Sequence, residues 1–185
     1  MPKIIKTIFR VFLNVLTRIH SFDFIFLILQ KIIFVKLAKK KFDILFVDGA
    51  HENFDLLKNY REVDLYCGKG VKIDHNIYLL KRGEIYTIDG KTVLTLGGRE
   101  DPHPIDNDIK ESPSLPTDEE LQKTVDNLTS YGRQVDIIIT HEAPASVKKL
   151  IDRDTRSNEL NVFLDTLLHN TTYGKWFFGS LHTDR

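Results

Sequence analysis

The chain has 185 residues, enough for one domain with a real core. Its 26 basic and 26 acidic residues cancel, but unevenly: residues 1–41 hold nine basic residues and one acid, Asp23, so residues 42–185 hold 17 basic and 25 acidic. The acidic body excludes the basic face that phosphate-backbone binding needs, so no nucleic-acid partner is expected. The single cysteine, Cys67, excludes an intrachain disulfide and a cysteine-based zinc site, and points to a reducing, cytoplasmic setting.

Residues 1–35 form an atypical segment, set apart from a domain over 36–185. Lys3, Thr7, Arg10, Asn14, Thr17, Arg18 and Ser21 recur at helical spacing among isoleucine, leucine, valine and phenylalanine, giving a basic amphipathic helix with a wide apolar face. Phe24–Leu29 is wholly apolar, and Gln30 and Lys31 separate it from Ile32–Val35. Three readings stay open: a segment that binds an anionic membrane surface, an ordinary helix and strand of the domain, or the product of a truncated or shifted reading frame. No window of about 20 residues is free of charge, against a clean transmembrane span. No small-residue cleavage site follows the apolar run, against a signal peptide.

From residue 42 the pattern alternates strand and helix. Ile44–Val47 is a short apolar run stopping at Asp48-Gly49, and Phe54–Tyr60 suits a short helix. Asn76–Leu80, Glu84–Ile88 and Thr92–Leu96 read as strands joined by hairpins at Arg82-Gly83 and Asp89-Gly90. Residues 97–116, with four prolines, read as a loop. Thr117 with Glu120 three residues on is a capping box for a helix running to about Tyr131. Val135–Thr140 is a buried strand, Asn158–Leu168 an amphipathic helix and Lys175–Phe178 a last strand.

Three strands thus end by presenting a histidine: His51, His141 and His182. Ligands of α/β sheets gather outside the carboxyl ends of strands, where imidazoles can bind metal or transfer protons. Glu142 reads as a solvated loop acid, with a partner that supports His141 as the alternative, and Arg99, Glu100 and Asp101, after the Gly-Gly turn, read as a solvated charge run, with residues facing a substrate phosphate as the alternative. His20, His75, His103 and His169 match no motif and read as surface residues. Trp176, Phe177 and Phe178 read as core.

The local words carry a resemblance. Phe46–Asp55, with Asp48-Gly49-Ala50-His51-Glu52, resembles the G-N-H-E segment of calcineurin-like metallophosphoesterases. Ile137–Pro144, with Thr140-His141-Glu142-Ala143-Pro144, resembles their strand-His-x-x-Pro segment. Trp176–His182, with Gly179-Ser180-Leu181-His182, resembles their G-H-x-H segment, and Ile85–Gly98 is similar to a hairpin leading into a Gly-Gly turn. Order and spacing agree across roughly residues 36–185. The resemblance implies an α/β fold of the metallophosphoesterase type, a sandwich of mixed sheets flanked by helices, incomplete at its N-terminus. It implies divalent metal ions (manganese, iron or zinc) acting on a phosphoester substrate. His182 would bind the first metal, His141 the second, and His51 would protonate the leaving alkoxide. Glu52 would orient its loop.

The departures bear on activity. Ala50 stands where the family has a metal-binding asparagine, and Ser180 where it has the first histidine of G-H-x-H. No Asp-x-His word precedes residue 51. Asp23 lies near the place of the bridging aspartate, which would put the family's opening word ahead of Met1. The expectation is a metallophosphoesterase-family protein of weak or no hydrolytic activity. The alternatives are a non-catalytic binding or regulatory module or decayed fragment on the same fold, or a protein that associates with membranes through residues 1–35.

Overall fold

The computed structural model describes residues 36–50, 52–100 and 112–180. Asp23 and the amphipathic segment over 1–35 lie outside the described residues, as do His51, Asp101, His103 and His182. Among the described residues no helix is long and apolar enough to cross a membrane.

The fold is α/β, with two mixed four-stranded sheets flanked by helices. The strands are β1 (Ile44–Phe46), β2 (Arg61–Leu65), β3 (Gly68–Asp74), β4 (Ile77–Leu80), β5 (Ile85–Ile88), β6 (Lys91–Leu96), β7 (Gln134–Thr140) and β8 (Thr172–Phe177). The helices are α1 (Phe54–Leu57), α2 (Asp118–Ser130), α3 (Ala145–Ile151) and α4 (Glu159–Asn170). One sheet runs β1-β4-β3-β2, with β1 parallel to β4 and the others antiparallel. The other runs β5-β6-β7-β8, with β6, β7 and β8 parallel and β5 antiparallel.

Side-chain alternation explains the layering, because successive residues of a strand face opposite sides. In β1, Leu45 faces inward with Leu80, Tyr86 and Val93, a core shared by both sheets. Ile44 and Phe46 face outward and pack with Ile77 and Leu79 against Leu37, Ala38 and Leu57. In the second sheet, Leu94, Leu96 and Ile138 face Leu128 of α2 and Leu160, Leu164 and Leu167 of α4. Each such buried side chain contributes about 1.5–3 kcal/mol relative to exposure. Tyr86 is fully buried between the sheets, and its hydroxyl is satisfied: it donates to the Lys69 carbonyl (2.5 Å) and accepts from the Lys81 N–H (2.8 Å).

The capping box of α2 forms as the sequence implies, with Thr117 accepting from the Glu120 N–H and Glu120 accepting from the Thr117 N–H. Asp89-Gly90, both at positive φ, turns the β5–β6 hairpin. Arg82-Gly83 does not make a hairpin. It carries the chain from β4 in one sheet to β5 in the other, because the Arg82 side chain is buried and held by partners far along the chain. Strands β2 and β3 and helix α3 were not expected from the sequence. The two strands pair around Tyr66-Cys67, which turns at positive φ without glycine. Cys67 is an exposed free thiol on that turn.

Candidate functional site

The carboxyl ends of β1, β6, β7 and β8 meet at one place, and backbone hydrogen bonds tie them together. The Gly98 N–H, after β6, donates to the Asp48 carbonyl, after β1 (2.9 Å). The His141 N–H, after β7, donates to the Leu96 carbonyl (3.3 Å). The N–H groups of Gly179 and Ser180, after β8, both donate to the His141 carbonyl (3.1 Å each). The described parts of the three histidine-bearing words therefore adjoin at Asp48 and Gly49, His141, and Gly179 and Ser180, with His141 in the middle. Of the three histidines, His141 alone is described; His51 and His182 lie outside the described residues.

Two glycines allow this close approach. A Cβ on Gly49 would lie 2.8 Å from Cε1 and 3.1 Å from Nδ1 of His141, so the imidazole packs on the bare main chain of the β1 loop. A Cβ on Gly97 would lie 2.0 Å from Oδ1 of Asp48. Any side chain at either position would push the loops apart.

Behind these loops lies a buried ion cluster. Arg82 Nε donates to Asp48 Oδ2 (3.0 Å) and Arg82 Nη2 makes a second, shorter bond to the same oxygen. Nη1 donates to Glu120 Oε2 (3.1 Å) and to the Leu115 carbonyl (2.6 Å), and Nη2 also reaches the Pro113 (3.0 Å) and Ser114 (3.2 Å) carbonyls. Burial acts to lower the Arg82 pKa, but the carboxylates of Asp48 and Glu120 outweigh it and hold it above the ordinary arginine value. Burial pushes the Asp48 carboxyl up, with Arg82 pulling against it. This guanidinium fastens the β1 loop, the β4–β5 crossover and the segment before α2. An open cleft of about 1280 Å³ adjoins it, lined by Asp48, Arg82, Glu100, Glu120, Arg156 and Asn158 among others.

Glu52 accepts from the Gly49 N–H through Oε1 (3.3 Å), while its Oε2 is buried without a partner among the described residues. Burial, then the nearby Asp48 charge, pushes Glu52 up to about 7 against that hydrogen bond.

Glu142 is not a solvated loop acid. Only 1% of it is exposed. Its carboxylate accepts from Asn161 Nδ2 (2.9 Å) and Lys148 Nζ (3.2 Å) and pairs with Arg99 Nε (3.3 Å). Burial alone would raise its pKa; Asn161, Lys148 and Arg99 outweigh that and hold it below the ordinary value, so it is ionised. Arg99 and Glu100 are likewise engaged, with Glu100 accepting from Asn158 Nδ2 (3.0 Å). No local sequence signal reveals this, because the partners come from α3, α4 and the β6 loop. His75 and His169 are exposed surface residues, as expected. Trp176 is half-buried, packs on the helix-side core and donates from Nε1 to Thr140 Oγ1 (2.9 Å).

A divalent metal centre at the loop ends would need donors from these loops. The methyl of Ala50, buried in the β1 loop, cannot coordinate. Ser180 is 5% exposed and its hydroxyl is buried without a partner among the described residues. Among the described residues, no three or more histidine, cysteine, aspartate or glutamate side chains are grouped to hold a metal. A catalytic metal takes about three protein ligands, and His141 with a serine hydroxyl does not meet that requirement. The described donor set does not fit such a centre. Family models, curated proteins and solved structures were each compared with the chain, and none matches it.

Proposed function

We propose that the chain is a metallophosphoesterase-type domain whose hydrolytic centre has been reduced, with weak or no turnover of phosphoesters. The observation that supports this reading is the meeting of the three word-bearing loops around His141, through the Gly49 contact and the Gly179 and Ser180 hydrogen bonds. Those words were matched to the family by order and spacing alone, so their adjacency in space is an independent reason for treating them as one site. In this reading His141 and His182 are the remaining metal ligands, with Asp23 as a further carboxylate, and His51 is the acid for the leaving group. Ala50 and Ser180 are the losses that weaken the site.

Metal content of the purified chain, with hydrolysis of an aryl phosphodiester in added manganese, tests the proposal. Little metal and negligible turnover support it. Near-stoichiometric metal, with turnover abolished by His51→Ala, overturns the reduced-centre reading and points to an intact hydrolase.

A second reading, a non-catalytic binding module on the same scaffold, is favoured by the two substituted positions themselves. Ala50 and Ser180 are buried side chains that fit a closed, packed loop cluster. Robust metal-dependent turnover would sink it.

A further inference from the structure

Arg99 is held as a presented cation rather than a free surface arginine. Its main-chain N–H donates to the Ser114 carbonyl (2.9 Å). Its Nε pairs with Glu142 Oε1 (3.3 Å), and Glu142 is itself fixed by Asn161 and Lys148. The Arg99 side chain keeps 32% of its surface exposed, and neither amino group has a partner among the described residues. Its rotamer entropy is thus spent in folding, and two coplanar donors are left for a ligand.

The local charge favours an anion. Arg99 and Lys148 share the single buried carboxylate of Glu142, which leaves one positive charge in excess. Glu100, next in the chain, lines the cleft and is bound by Asn158, whereas Arg99 does not line the cleft. Arg99 follows the Gly97-Gly98 turn after β6, and its partner Glu142 adjoins His141 after β7, so the guanidinium belongs to the same strand-end cluster.

We propose that Arg99 binds the phosphoryl group of a phosphomonoester through its two outward amino groups, independently of any metal. This rests on the phosphoester reading of the cluster and names a ligand-binding residue for it. A planar fork matches a phosphate bidentately, which a lysine ammonium cannot do. Glu142 is the positioning residue that aims it.

The test is a titration of inorganic phosphate, and separately of phenyl phosphate, into the full chain after EDTA treatment. Binding is followed by the phosphorus resonance at constant ionic strength, with acetate as the control anion. Saturable phosphate binding is expected, with Arg99→Ala and Arg99→Lys each weakening it by about tenfold or more. Arg99→Lys retains a cation beside Glu142, so it separates loss of the fork from loss of folding; a melt checks both variants. Unchanged affinity in Arg99→Ala, absence of saturable binding in the wild type, or equal binding of acetate would each overturn the proposal. Metal-dependent turnover in the separate hydrolysis assay would overturn the reduced-centre reading and leave this one standing.

Discussion

The imidazole of His141 packs against the main chain of Gly49, so closely that a Cβ on Gly49 would come within 2.8 Å of Cε1. This contact joins the loop after β1 to the loop after β7, across the two sheets. Gly49→Ala is therefore expected to force the ring out of place and to destabilise the fold by about 1–3 kcal/mol. Denaturant unfolding of the two proteins measures this, and an unchanged midpoint would mean the loops are not in contact. Gly97→Ala, whose Cβ would overlap Asp48, should cost more than Gly49→Ala.

Arg82 and Asp48 form the buried pair that holds the cluster from behind. Arg82→Met would remove a guanidinium whose partners are two carboxylates and three carbonyls, leaving Asp48 buried without its counter-ion. Breaking a buried pair from one side costs about 3–5 kcal/mol. Asp48→Asn, which keeps an acceptor for Nε, should cost less. Urea unfolding of the two variants checks the order.

Much of this scaffold is legible in the sequence because its signals are local. The apolar runs of β1, β4, β5, β6 and β7 and the capping box at Thr117 are each contained within a few residues. The missed elements lack such signals. The β2–β3 hairpin alternates weakly, carries glycines at 68 and 70, and turns on Tyr66-Cys67 in the left-handed region. Helix α3 has seven residues and begins after Pro144 with no side-chain cap. At the site, the strand-end histidines are visible as a pattern. The Glu142 cluster is not, since a buried carboxylate and a solvated one look alike until Lys148, Asn161 and Arg99 are seen beside it.

Ser180 offers a test of the proposed loss of a metal ligand at the site. Its hydroxyl is buried and unpartnered among the described residues, although its N–H is bonded to the His141 carbonyl. Removing a polar atom that makes no hydrogen bond relieves a desolvation cost of about 1–3 kcal/mol. Ser180→Ala should be neutral or stabilising in a thermal melt. A clear loss of stability would mean that the hydroxyl has a partner, such as a bound ion, in solution.

Glu52 sets an expected pH dependence. Burial first, and Asp48 second, raise its folded-state pKa to about 7 from 4.5. A carboxyl that holds its proton more tightly when folded stabilises the fold fully below its unfolded pKa, and that contribution is lost as pH rises through the folded pKa. Between pH 4.5 and 7 this amounts to about 3 kcal/mol at most. Glu142 acts in the opposite sense, because its folded pKa lies below the ordinary value; its contribution is present above that value and lost on acidification. The wild type should therefore weaken as pH rises from 4.5 to 7, while Glu52→Gln, which cannot ionise, should be flatter over that interval. Denaturant midpoints of both proteins across that range decide it. Parallel curves would show that Glu52 titrates near its ordinary value and that its carboxyl reaches water in solution.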